Sequence, residues 1–262
     1  MKTIRDFQRM KIEKEKISML TCYDYWSACI IDNSDIDAVL VGDSASMVMH
    51  GYESTVFADL NMMCYHIKAV SRGIKNKFII GDMPFLTNRK EPGFLIDAVD
   101  RFMKAGAHAV KIEGADGNLE IIDFLVKSGV PVMGHLGLTP QSVNQLGGYR
   151  VQGRDEASSK KILDDALKLQ GAGCFSLVLE MVPSALAKVI TETILIPTIG
   201  IGGGAGTDGQ ILVLHDMLGM NKNFNPKFVR KYMNGYDDIL QALNHYNKDV
   251  KEGDFPGKGE SH

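Results

Sequence analysis

At 262 residues, the chain has the length of one α/β barrel, and 45% hydrophobic content with a net charge of −3 is ordinary for a globular protein. No long basic run points to nucleic acid, no apolar run approaches the roughly 18 residues of a membrane span, and the charged start lacks the apolar stretch of a secretory leader. Cys22, Cys29, Cys64 and Cys174 form no CxxC pair, which argues against a zinc site or disulfide framework and for a reduced, cytoplasmic protein.

In chain order, Thr3 is placed to cap a short helix through about Ile12, amphipathic enough to close one end of a barrel. "KISMLTC" reads as strand one, opening into Tyr23-Asp24-Tyr25, and "WSACIIDNS" has helical periodicity. "IDAVLVGD" is strand two, ending at Asp43 and Ser44. "LNMMCYHIKAVSRG" is a helix stopped by Gly73, and "KFIIGD" is strand three, ending at Asp82. A helix from about Phe94 to Lys104 leads to "AHAVKIE", strand four, with Lys111 and Glu113. A helix stopped by Gly129 precedes "VPVMGH", strand five, with His135 at its end.

After a long loop, a helix from about Glu156 to Gln170 precedes "CFSLVLE", strand six, which ends at Glu180. Pro183 suits the start of the next helix. "IPTIGIG" is strand seven, and "ILVLHD" is strand eight. Two further helical segments are expected beyond Asn225, then a flexible tail from about 251 that a neighbouring subunit could order.

Eight apolar strands alternating with helical segments, and no Gly-rich turn after strand one, favour a single-domain (β/α)8 TIM barrel over an open doubly wound sheet. Its active site is then expected at the strand carboxyl ends, where the polar residues lie.

A core has no use for charge at the end of an apolar strand. Asp43, Asp82 and Glu113 close three successive strands, and their convergence would be repulsive unless a cation sat between them. An all-oxygen donor set suits Mg²⁺ or Mn²⁺; the bland alternative is that each carboxylate caps a strand or pairs with a nearby base. Lys111 shares a strand face with Glu113 and could hold a substrate carboxylate, form a Schiff base, or pair with an acid. Glu180, with apolar neighbours Leu179, Met181 and Val182, suits a general base. His135 is a candidate auxiliary residue. "GIGGGAG" could cradle a phosphate or admit a flat ligand. Tyr23, Asp24, Ser44 and Asn144 are candidates to line the mouth. Together these parts suit metal-assisted proton abstraction beside a 2-keto acid, followed by attack on an electrophile that the spacing does not identify.

The runs "VGDS", "MVMHGYEST", "GDMPF", "AVKIEG", "VMGHLGLTPQSVNQLGGYRVQGR" and "LVLE" resemble the ketopantoate hydroxymethyltransferase family from about Ile4 to the tail. The resemblance implies a (β/α)8 enzyme that moves a one-carbon unit from 5,10-methylenetetrahydrofolate to 3-methyl-2-oxobutanoate, giving 2-dehydropantoate. It implies Asp43 and Asp82 as direct ligands of one Mg²⁺ per subunit, with Glu113 acting through water. Asp43, Ser44, Asp82 and Lys111 would bind the keto acid, Glu180 would accept the proton, and His135 would lie near the transferred carbon. It also implies a cytoplasmic homodecamer, a pentamer of dimers. Ala45-Ser46, His50, Leu86-Thr87, Gly203 and Ala205 depart from the usual family pattern without touching a proposed ligand or the base. A metal-dependent lyase of the phosphoenolpyruvate mutase and isocitrate lyase type is the alternative reading.

Overall fold

The computed structural model describes residues 1–143 and 147–261, so Asn144 lies outside the described residues. Two compact units are present, Met1–Leu212 and Val213–His262.

The first unit is a closed parallel barrel in sequential order. Its strands are β1 (Ile17–Thr21), β2 (Ala38–Val41), β3 (Phe78–Asp82), β4 (Ala109–Glu113), β5 (Val132–Gly137), β6 (Ser176–Glu180), β7 (Thr198–Ile201) and β8 (Gly209–Leu212). Closure is made by β8 on β1, with Ile17 opposite Gly209 and Leu20 opposite Leu212. A Cβ at position 209 would collide with the Ile17 backbone and side chain, so only glycine lets these strands meet there.

The surrounding helices are α1 (Ile4–Glu13), α2 (Tyr25–Asp32), α3 (Ala45–Val48), α4 (Leu60–Gly73), α5 (Pro92–Ala105), α6 (Leu119–Lys127), α7 (Glu156–Gly171) and α8 (Ser184–Thr193). Side-chain caps explain several starts: the carboxylates of Asp24, Asp59 and Asp155 accept from the amides of Ser27, Met62 and Ser158 at 2.8–2.9 Å. Gly106, at φ 110°, ends α5.

The expected closing helix is α1. The Thr3 amide donates to Asp6 at 2.8 Å at its start, and Phe7 and Met10 are buried against Ile17, Phe78 and Phe175. Phe7 and Phe78 meet edge to face with centroids 5.5 Å apart, and Lys11 Nζ pairs with Asp208 at 2.7 Å. Burying two such side chains contributes about 1.5–3 kcal/mol each, which fastens the helix over the amino-terminal ends of the strands.

Three details differ from the sequence reading. The one-turn α3 follows Ser44 directly, and β7 runs to β8 through a glycine loop with no helix between them. Strand eight covers Gly209–Leu212, not "ILVLHD", because its register with β1 is used up at Leu212. A short apolar run such as "LVLH" does not by its period tell strand from helix.

In the second unit, α9 (Leu214–Met217) takes up the end of that run, and α10 (Gly235–Glu252) is the one helix described beyond Asn225, where two segments were expected. Tyr236, Ile239, Leu240, Leu243, Tyr246 and Val250 are exposed along α10 at helical spacing. Among the described residues, no helix is long and apolar enough to cross a membrane.

Candidate active site

Strand register assembles the site. In the β3–β4 pair Asp82 lies opposite Lys111, and in the β4–β5 pair Glu113 lies opposite His135. In the β5–β6 pair Gly137 lies opposite Glu180, and His135, two residues earlier, faces the same side. Lys111 and Glu113 share a face for the same reason. Asp43 follows β2 by two residues, and its backbone N–H donates to Asp82 Oδ2 at 3.3 Å.

The side chains form a continuous polar chain. Lys111 Nζ donates to Asp82 Oδ1 at 2.6 Å and to Glu113 Oε1 at 3.3 Å. His135 Nδ1 lies 3.2 Å from Glu113 Oε1. Its Nε2 lies 3.4 Å from Glu180 Oε2, an ion-pair contact without hydrogen-bond geometry. Asp43, Asp82, Lys111, Glu113 and His135 are buried, whereas the Glu180 side chain is 18% exposed and looks toward the opening.

Burial, reinforced by the Asp82 and Glu113 carboxylates, lifts the Asp43 carboxyl well above the usual range. Burial also raises Asp82, with the Lys111 charge offsetting part of the effect. Burial alone would depress Lys111, but Asp82, Glu113 and Asp43 outweigh it and hold the ammonium charged. Burial opposes ionisation of Glu113 too, yet Lys111 and His135 bring it down to about 2. For His135, burial and the Lys111 charge disfavour protonation, and Glu113 overrides both to raise it to about 9. The site therefore holds a charged lysine and an imidazolium among carboxylates that still outnumber them.

The sequence reading missed Gln141. Its Nε2 donates to Asp43 Oδ2 and to the Met83 carbonyl, both at 2.9 Å, and its backbone N–H donates to Glu113 Oε2 at 3.3 Å. One residue thus fixes two carboxylates from β2 and β4. The only local signal was Pro140, which opens the short turn that carries it.

Of the mouth candidates, Ser44 accepts or donates at 2.8 Å with the buried Tyr23 hydroxyl, whereas the Asp24 carboxylate serves as the α2 cap. The loop after β7 offers no helix N-terminus to a phosphate, and the Gly204 carbonyl there accepts from Gln210 Nε2 at 2.9 Å. Cys174 is buried just before β6, at the end of the strand remote from Glu180, with its thiol pushed up to about 12 by burial.

Buried charge gathered at the carboxyl ends of a closed parallel barrel is the mark of a (β/α)8-barrel enzyme. A family model described as ketopantoate hydroxymethyltransferase matches residues 1–258. The 3-methyl-2-oxobutanoate hydroxymethyltransferase of Bdellovibrio bacteriovorus is 58% identical over 262 residues, covering 100% of both chains. Its counterpart in Coxiella burnetii is 56% identical, covering 96% of this chain and 95% of its own. The chain belongs to the ketopantoate hydroxymethyltransferase family, a family of transferase enzymes.

Solved structures share the fold at low identity. A phosphonopyruvate hydrolase complexed with oxalate and Mg²⁺ superposes with a TM-score of 0.65 at 8% identity, covering 99% of this chain and 93% of its own. A 2,3-dimethylmalate lyase of the phosphoenolpyruvate mutase and isocitrate lyase superfamily gives 0.60 at 15%, covering 98% and 90%.

Proposed function

We propose that this enzyme transfers a hydroxymethyl group from 5,10-methylenetetrahydrofolate to 3-methyl-2-oxobutanoate, forming 2-dehydropantoate in pantothenate biosynthesis in the cytoplasm. The observation that carries the reading is the chain of charge, buried from Asp82 through Lys111 and Glu113 to His135 and part-exposed at Glu180, in a chain of this family.

The residues fit a hard divalent cation, one Mg²⁺ per subunit. Their donors are oxygens, carboxylates outnumber cations, and among the described residues the Asp43 carboxylate takes one hydrogen bond, from Gln141. No three His, Cys, Asp or Glu side chains among the described residues form a ready metal cluster, and Lys111 stands between Asp82 and Glu113. That suits an ion that takes Asp43 and Asp82 and completes its shell with water and substrate, Glu113 acting through water. When bound, Mg²⁺ would supply Lewis-acid polarisation of the substrate ketone.

Among the described residues Lys111 Nζ uses two of its three protons, on Asp82 and Glu113, and the third would take the keto acid carboxylate, with the Ser44 hydroxyl as a second contact to the acid. Glu180 takes the C3 proton. Water releases the methylene carbon from the folate at the formaldehyde level, breaking both C–N bonds and leaving both nitrogens protonated; the carbon nucleophile bonds to that carbon, whose oxygen takes the proton held by Glu180 to become the new hydroxyl. His135, protonated by its contact with Glu113, presents its other nitrogen to Glu180 and steadies the base as an auxiliary group. The lyase alternative rests on fold likeness alone.

Purified protein given Mg²⁺, 3-methyl-2-oxobutanoate and 5,10-methylenetetrahydrofolate should form 2-dehydropantoate, and EDTA should abolish the product. Folded, metal-loaded protein that yields none would end this assignment. We also propose self-association as a pentamer of dimers, supported by the exposed apolar stripe of α10. Light scattering should give the mass of ten protomers; a monomer at micromolar concentration would refute it.

A further inference from the structure

A groove of about 470 Å³ opens between α5 and α6, near the helix ends that follow β3 and β4. Leu95, Ile121 and Phe124 make it apolar, and Arg89 and Lys90 stand on its rim against a single acid, Glu120. The Arg89 guanidinium lies over Gly117, at φ 70°, in the space a Cβ would take. Lys90 Nζ lies 4.0 Å from the centre of the Phe94 ring. Neither cation forms an ion pair among the described residues, and Asp116, which feels the Arg89 charge, is paired with Lys161 at 2.9 Å.

The groove is tied to the catalytic centre. Asn88 Nδ2 donates to Asn118 Oδ1 at 2.9 Å, and buried Asn118 donates to the carbonyls of Glu113 and Gly114, both at 2.9 Å. One asparagine pair thus joins the groove wall to the backbone at the end of β4, where Glu113 stands.

The proposed co-substrate has two unlike ends. Its reacting carbon must reach Glu180 and the keto acid, while its tail is an aminobenzoyl ring ending in glutamyl carboxylates. Such a tail is repelled by a centre rich in Asp and Glu, and it needs an apolar slot with positive charge at its edge. The volume suits an organic ligand of that size.

We infer that this groove seats the aminobenzoyl-glutamate tail of the folate, the apolar floor taking the ring and Arg89 and Lys90 taking the carboxylates. The inference rests on the proposed folate chemistry but names residues outside the catalytic chain.

The test is calorimetric titration of the full-length, Mg²⁺-loaded enzyme with tetrahydrofolate in its mono- and tri-γ-glutamyl forms. The unmodified enzyme should bind the triglutamyl form about tenfold more tightly, and Arg89→Ala/Lys90→Ala should lose that preference. Phe124→Glu, at an exposed position, should weaken both forms by placing a carboxylate on the floor. An unaltered preference in the double variant, a matching loss of keto acid affinity, or no binding to the unmodified enzyme would each overturn the inference. Binding with this pattern but no 2-dehydropantoate would uphold the groove and sink the transferase reading instead.

Discussion

Glu180→Gln is expected to slow exchange of the C3 hydrogen of 3-methyl-2-oxobutanoate into deuterated water by about 10²–10⁴-fold, the range for a lost general base. Run with Mg²⁺ present and folate absent, the measurement isolates proton abstraction from carbon–carbon bond formation. Glutamine keeps the size of the side chain and its place at the end of β6, and removes only the group that can accept a proton. Glu180 is the site carboxylate most open to the barrel mouth, and the His135 ring lies between it and Glu113. Asp43, Asp82 and Glu113 are more deeply buried and committed to Lys111, Gln141 or His135. Exchange at the unmodified rate in the variant would remove Glu180 from the role of base.

Lys111→Met should lower stability by about 3–5 kcal/mol, read as a fall in the urea midpoint, and should abolish turnover. The lysine is 3% exposed and pairs with Asp82 at 2.6 Å and Glu113 at 3.3 Å. Methionine fills the volume but leaves two buried carboxylates without their cation, and Asp43 close beside them. Adding Asp82→Asn to the same chain should recover part of the loss, because it removes one of the stranded charges. Mg²⁺ should stabilise the single variant more than the unmodified enzyme. An unchanged midpoint would show that the Lys111 charge is dispensable for folding.

The strands and the main carboxylates were legible because each is an apolar run stopped by an acid, a pattern that core packing does not ask for. Lys111 was legible with Glu113 because a spacing of two fixes a shared strand face. The contact of His135 with Glu180 was not, since it depends on the β5–β6 register, and register is a property of two strands together. Gln141 was hidden for another reason. It sits in a loop without hydrophobic period, where an amide carries no signal until the fold brings Asp43, Met83 and Glu113 around it. The missing helix between β7 and β8 and the short β8 were likewise beyond periodicity, because a glycine run marks a turn and leaves the next element open.

Phe7 and Met10 of α1 stopper the barrel below the strands. With that end filled, the carboxyl ends of the strands, where the site residues stand, are the side from which reactants are expected to enter. Under the proposed chemistry the small keto acid occupies the deeper berth, against Lys111, and the folate the outer one. In that arrangement the acid is expected to bind before the carrier, and the spent carrier to leave before the longer acid.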